Sequence, residues 1–307
     1  MASSYLSLLM ARASTVLPGS FIGRLPARGK FVAAGLKHKA ALAPLVDAPE
    51  GTAAHTCFTQ DPVILGLLIW PYQSAMWEAE TRLERLVNHC GVVDTLDVPF
   101  HFSLHERLVL LELEDMFPGL RLVMDQPKWF RREGHLVVNL FLDDFRAFCI
   151  AFSFYREADG SLTAVIGGTQ GRNREDALTL YRDLTKALHG LRPRDFLLEV
   201  LRMVLRAVGV TRLLAVTDGA RHHRHPYFGG GKGEFTLDYD EIWQDRGGVR
   251  LDNEFYELPV APERRSFDSI KPKKRSLYRK RFEFLDRVEA DLGERLPHLT
   301  PVEFEDS

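Results

Sequence analysis

Apolar positions change period along this chain, and the change divides it. From Ser74 to Cys90 the residues Trp77, Leu83, Leu86, Val87 and Cys90 approximate one helical face, with Glu78, Glu80, Arg82, Glu84 and Arg85 opposite. Leu104 to Met116 reads as a second helix, stopped by Pro118-Gly119. Beyond this point come short apolar runs. Leu120–Met124, His135–Leu142 and Phe148–Tyr155 are predicted strands, and Asp159-Gly160 turns the chain into a fourth at Leu162–Ile166. Helical spacing returns from about Arg174 to Leu188 and from Pro193 to Val208. Pro193 suits a first turn, and Gly209 suits the position past the end. Leu213–Thr217 is another strand, Phe255–Val260 a last one, and about Lys273 to Leu296 a closing helix.

A meander, two helices and one more strand predict an α+β fold. Three parts are expected: a partly disordered basic arm and linker over residues 1–55, a helical part over 56–118, and an α+β core over 119–307 that ends in a basic helix. Glycines and Pro26 break the helical pattern of the arm, which carries Arg12, Arg24, Arg28, Lys30, Lys37 and Lys39 and no acidic residue before Asp47. Peripheral contact with the inner membrane is an alternative use for it.

Charge and composition narrow the classes. The net charge of -2 gives no general attraction to nucleic acid. No apolar run approaches the ~20 residues of a membrane span. Three unspaced cysteines predict reduced thiols and a cytoplasmic setting.

The densest chemistry lies between Leu213 and Trp243. Asp218 ends a buried strand, and His222, His223 and His225 follow. An imidazole titrating near neutrality makes these candidates for a general base, with Asp218 as orienter or alternative base. Helical metal spacings are absent, so no metal is predicted. Gly231-Lys232 is followed by Gly233 rather than Ser or Thr, which excludes a P-loop. Asp238 or Asp240 is expected to cap a helix. Gly168, Gln170 and Gly171 precede a predicted helix whose N-terminus would suit a phosphate, and His189, Arg192 and Arg194 form a second anion candidate. Lys273, Lys274, Arg275 and Arg279 form a basic tract suited to an anionic small molecule or lipid head group.

Several of these segments together resemble the VirK/YbjX family of Gram-negative bacteria. They are Ile166-Gly-Gly-Thr-Gln-Gly171, Leu184 to Pro193, Leu213 to Asp218, Asp238-Tyr-Asp-Glu-Ile-Trp243, Phe255 to Pro259 and Lys273 to Tyr278. The resemblance implies roles in envelope maintenance, resistance to cationic antimicrobial peptides and virulence, and supplies no reaction. The element order is also similar to the acyl-CoA N-acyltransferase (GNAT-like) core, which would take acyl-CoA as cofactor. The alternative expectation is a non-catalytic regulatory factor that binds anionic lipid or protein.

Overall fold

The computed structural model describes residues 2–172, 176–229 and 237–304. Gly230, Gly231, Lys232 and Gly233 lie outside them, as does Arg174 at the expected start of a helix.

Helices α1 (Ala2–Val16), α2 (Phe21–Lys37), α3 (Lys39–Val46), α4 (Ala53–Gln60) and α5 (Ala79–Val93) come first. Strands β1 (Glu106–Glu112), β2 (Leu120–Asp125), β3 (Leu136–Leu142), β4 (Phe145–Arg156) and β5 (Leu162–Gly171) form an antiparallel meander. Helices α6 (Ala177–Ala187) and α7 (Pro193–Ala207) cross over to β6 (Val210–Val216), which lies parallel to β5. Then come α8 (Tyr239–Asp245), β7 (Val249–Arg250), β8 (Phe255–Leu258), α9 (Pro272–Arg295) and β9 (Val302–Glu303). The sheet order is β7-β8-β6-β5-β4-β3-β2-β1-β9, and β5–β6 is its one parallel pair among the described residues. The α+β expectation holds at this level.

Both faces of the sheet are covered, which explains the unbroken apolar runs of β3 and β4. One face, with Ile150, Phe152, Phe154 and Ile166, packs under Leu184, Leu197, Leu201, Val288 and their neighbours on α6, α7 and α9. Val165, Tyr155 and Leu214 face the other way, onto the N-terminal helices.

Two expectations are corrected here. Leu104–Met116 is not a helix, because Glu106–Glu112 is strand β1. A bulge between Val109 and Leu111 buries Leu108, Leu110 and Leu111 together, which imitates helical spacing. Residues 2–46 form three helices where a partly disordered arm was expected. Tyr5, Leu9, Ala13 and Val16 make a buried stripe on α1. Gly35 belongs to the contact between the helices: a Cβ there would lie 2.4 Å from Leu9. No described helix is long and apolar enough to cross a membrane.

Candidate active site at a fork in the sheet

The parallel pairing of β5 and β6 stops at Ile166 and Ala215. Beyond it β5 runs on to Gly171 along β4 alone, while β6 turns away at Thr217, whose Oγ1 accepts the Ala220 amide. The chain therefore opens a fork outside the carboxyl ends of a parallel pair, the place where α/β crevices form.

Helix α8 serves the backbone groups that the fork leaves without strand partners. The Tyr239 hydroxyl accepts the Thr169 amide at 2.8 Å and donates to the Thr169 carbonyl at 3.1 Å. Trp243 Nε1 donates to the Val216 carbonyl at 2.9 Å, and Asp240 accepts the Asp218 amide at 2.8 Å. Asp238 is the N-cap, accepting the amides of Asp240 and Glu241. The acidic segment is a capped helix start, with Tyr239 and Trp243 as plugs.

On the sheet face toward the N-terminal helices, Glu133 closes the fork. It sits in the turn before β3 and is buried to 5% exposure. Gly167 and Gly168 are glycines because of it. A Cβ on Gly167 would lie 2.0 Å from the Glu133 carbonyl oxygen, and one on Gly168 would lie 2.0 Å from its carboxylate. Gln73, held at φ +50, donates its side-chain amide to the Val165 carbonyl at 2.7 Å and its backbone N–H to Arg132. Replacing Gly167 by Ala is expected to cost about 2–3 kcal/mol, since the obstacle is backbone. Gly91→Ala on α5 has open space around the new methyl and is expected to gain about 1 kcal/mol. Urea denaturation of the two variants checks both signs.

Gln170 donates weakly to both Glu133 oxygens, at 3.3 and 3.4 Å. His222 Nδ1 lies 3.5 Å from Glu133 Oε1, and its ring is 3.7 Å from that of His223. Phe228 covers both imidazoles edge-on or tilted. Burial raises the Glu133 carboxyl to about 7, against smaller opposing contributions from Gln170 and Arg221. Burial, helped by His223, Arg132 and Arg221, lowers His222 to about 2. The pair is thus a carboxyl that gives up its proton only near neutrality, beside a neutral imidazole, because two desolvated charges at 3.5 Å repay too little of their hydration.

The ligating atoms of Glu133, His222 and His223 fall within 4.8 Å of one another, a grouping that the expectation of no metal overlooked. Burial and the Arg221, Arg132 and Arg224 charges also hold His223 low. The guanidinium charges that add to burial in keeping these rings neutral also oppose a dication. We therefore read the cluster as a group that handles protons.

The other expected site residues are dispersed. Asp218 is clamped by Arg224 at 2.7 Å and Arg221 at 3.2 Å. Burial would raise its carboxyl, but the hydrogen bonds from Arg224 and Arg221 outweigh that and hold it below the usual range, which makes it a weak base. His225 accepts the Tyr227 amide on Nδ1, and its Nε2 stands 3.0 Å from Arg82. Gly168, Gln170 and Gly171 lie within β5, and among the described residues α6 starts at Ala177. The His189 carbonyl accepts two hydrogen bonds from Arg281, while Arg192 and Arg194 line a cavity between α6 and α7. Lys273, Lys274 and Arg279 are exposed on α9, and Arg275 is half-buried with Nε on the Ile270 carbonyl. Glu133 gave no sequence signal, because its polar, cationic surroundings read as a solvated loop.

The chain belongs to the family described as Protein of unknown function (DUF535), whose profile matches residues 21–294. It is 30% identical over 186 residues to an uncharacterized protein of Haemophilus influenzae, covering 61% of each chain. It is 31% identical over 137 residues to the uncharacterized protein YbjX of Escherichia coli, covering 45% of this chain and 42% of that one. The YbjX match bears out the VirK/YbjX resemblance. The chain thus spans about 42–61% of the length of these relatives. No solved structure matches.

Proposed function

We propose that the protein is an acyl-CoA-dependent N-acyltransferase-like enzyme working at the β5–β6 fork, with Glu133 as the base. The observation that carries this reading is a buried carboxyl seated on β5 where the parallel pair parts, 3.5 Å from a neutral imidazole. A meander, crossover helices and a strand returning parallel also follow the element order of the acyltransferase resemblance. In the reaction the amine nitrogen attacks the thioester carbonyl, and a C–N bond forms. Glu133 takes the nitrogen-bound proton, the C–S bond breaks, and the proton passes to the departing thiolate. A base of pKa near 7 suits that exchange at neutral pH, and Asp218 positions the cationic turn beside it. An envelope or antimicrobial-resistance role would follow from the amine acylated.

The test is release of free thiol from acyl-CoAs with an amine acceptor. Wild type is expected to turn over, including after chelation. Asp218→Asn is expected to keep turnover within tenfold, since the base is Glu133. Abolition of turnover in a folded Asp218→Asn protein would return the base to Asp218. No thiol release with any donor, together with sedimentation on anionic vesicles through Lys273, Lys274 and Arg279, would replace the enzyme reading with a lipid-binding one.

A further inference from the structure

On the opposite sheet face, α6 and the start of α7 line an open cavity of about 520 Å³. That size suits a small-molecule site. Its apolar wall is Phe148, Leu178, Tyr181 and Leu237. Leu178 is 83% exposed on α6, a large aliphatic side chain left in water at the mouth. Around the wall stand Arg182, Lys186, Arg192 and Arg194, and no carboxylate is among the described lining residues. Asp183 engages Lys186 and Asp195 engages Arg194. Arg182 and Arg192 make no ion pair with a described residue. Four cations bordering an apolar wall match an anion joined to a hydrocarbon chain.

The cavity is tied to the fork by β5 itself. Gly171 ends the strand against it: a Cβ there would lie 2.8 Å from Phe148 and 3.2 Å from the Tyr181 hydroxyl. One residue earlier, Gln170 points to Glu133 across the sheet. A donor lying in the cavity would reach the fork around the end of one strand.

We propose that this cavity binds the donor and selects a medium- or long-chain acyl group on a phosphate-bearing carrier, with Arg182 and Arg192 on the phosphates and Leu178 on the chain. The inference rests on the acyl-transfer reading, but its test needs no turnover. Binding of lauroyl-CoA, acetyl-CoA and free coenzyme A is measured calorimetrically below micellar concentrations. Each buried methylene is worth up to about fourfold in affinity, so lauroyl-CoA is expected to bind at least tenfold tighter than acetyl-CoA. Arg182→Gln with Arg192→Gln is expected to weaken lauroyl-CoA at least tenfold at low salt, and less at high salt. Leu178→Ser, at an exposed position, is expected to reduce the chain preference at least threefold while leaving coenzyme A binding within threefold. Equal binding of lauroyl- and acetyl-CoA, or wild-type affinity in the double arginine variant, overturns the proposal. The expected binding pattern without thiol release removes the reaction and keeps the site. Turnover with no chain preference keeps the reaction and removes the site.

Discussion

Asp125→Ala is expected to lower the free energy of unfolding by about 3–5 kcal/mol. Asp125 ends β2 with no exposed surface, and Arg146 grips it with two nitrogens, at 2.7 and 3.1 Å. Asn139 on β3 lies between them, donating to Asp125 at 2.9 Å and accepting from Arg146. The row crosses three adjacent strands in the layer that carries Phe130 and the Glu133 turn. Truncation leaves a 4%-exposed guanidinium without its counter-charge, and burying an uncompensated ion is the costly step. Asp125→Ala with Arg146→Met removes both charges and is expected to recover part of the loss. Asp144→Ala, whose side chain is 94% exposed, is expected to change stability by less than about 0.5 kcal/mol. Chemical denaturation of the four proteins measures all of this. A loss below about 1 kcal/mol in Asp125→Ala would show that the row is dispensable.

Four of the five strands of the meander, β2 to β5, were legible because their faces are both buried. Leu120–Met124 and Leu162–Ile166 grew only at their ends, to Asp125 and Gly171. Pro193 and Gly209 framed α7 as expected, since those residues act through local backbone geometry. Errors came where tertiary contact overrides local pattern. Gly168 was read with Gln170 and Gly171 as the approach to a helix N-terminus, but it and Gly167 are strand residues cleared for Glu133, a partner more than 30 positions away. Gly23, Pro26 and Gly29 looked like breaks, and they lie within α2. Arg82 was assigned to the polar face of its helix. It is buried, donating to the carbonyls of Leu67 and Trp70. The candidate site followed the same logic. His222 was visible as an imidazole after a buried strand, whereas Glu133 became recognisable only through the sheet register that sets Gly168 and Gln170 beneath it.

Glu133→Gln is expected to cut turnover by about 10²–10⁴-fold, the usual worth of a positioned base, while stabilising the protein at neutral pH. The sign follows from linkage. The carboxyl goes from 4.5 to about 7 on folding, so the folded state holds a proton that the unfolded chain has released. That contribution is fully present below pH 4.5 and is lost as pH rises through 7. His222 does the reverse: lowered from 6.5 to about 2, its contribution is present above pH 6.5 and is lost as pH falls toward 2. Between pH 4.5 and 6.5 the two slopes oppose each other, and the dyad binds one proton folded or unfolded. Buried His89 and His135, both lowered first by burial, also titrate, but they are common to wild type and variant. Subtracting one stability curve from the other therefore isolates Glu133. The variant is expected to gain about 3 kcal/mol on wild type between pH 4.5 and 7, the worth of that carboxyl shift. A difference curve flat with pH would mean that Glu133 ionises freely in the fold and is no tuned base. A dead but more stable variant would instead locate the cost of the reaction in one carboxyl that the fold keeps out of water beside the parting strands.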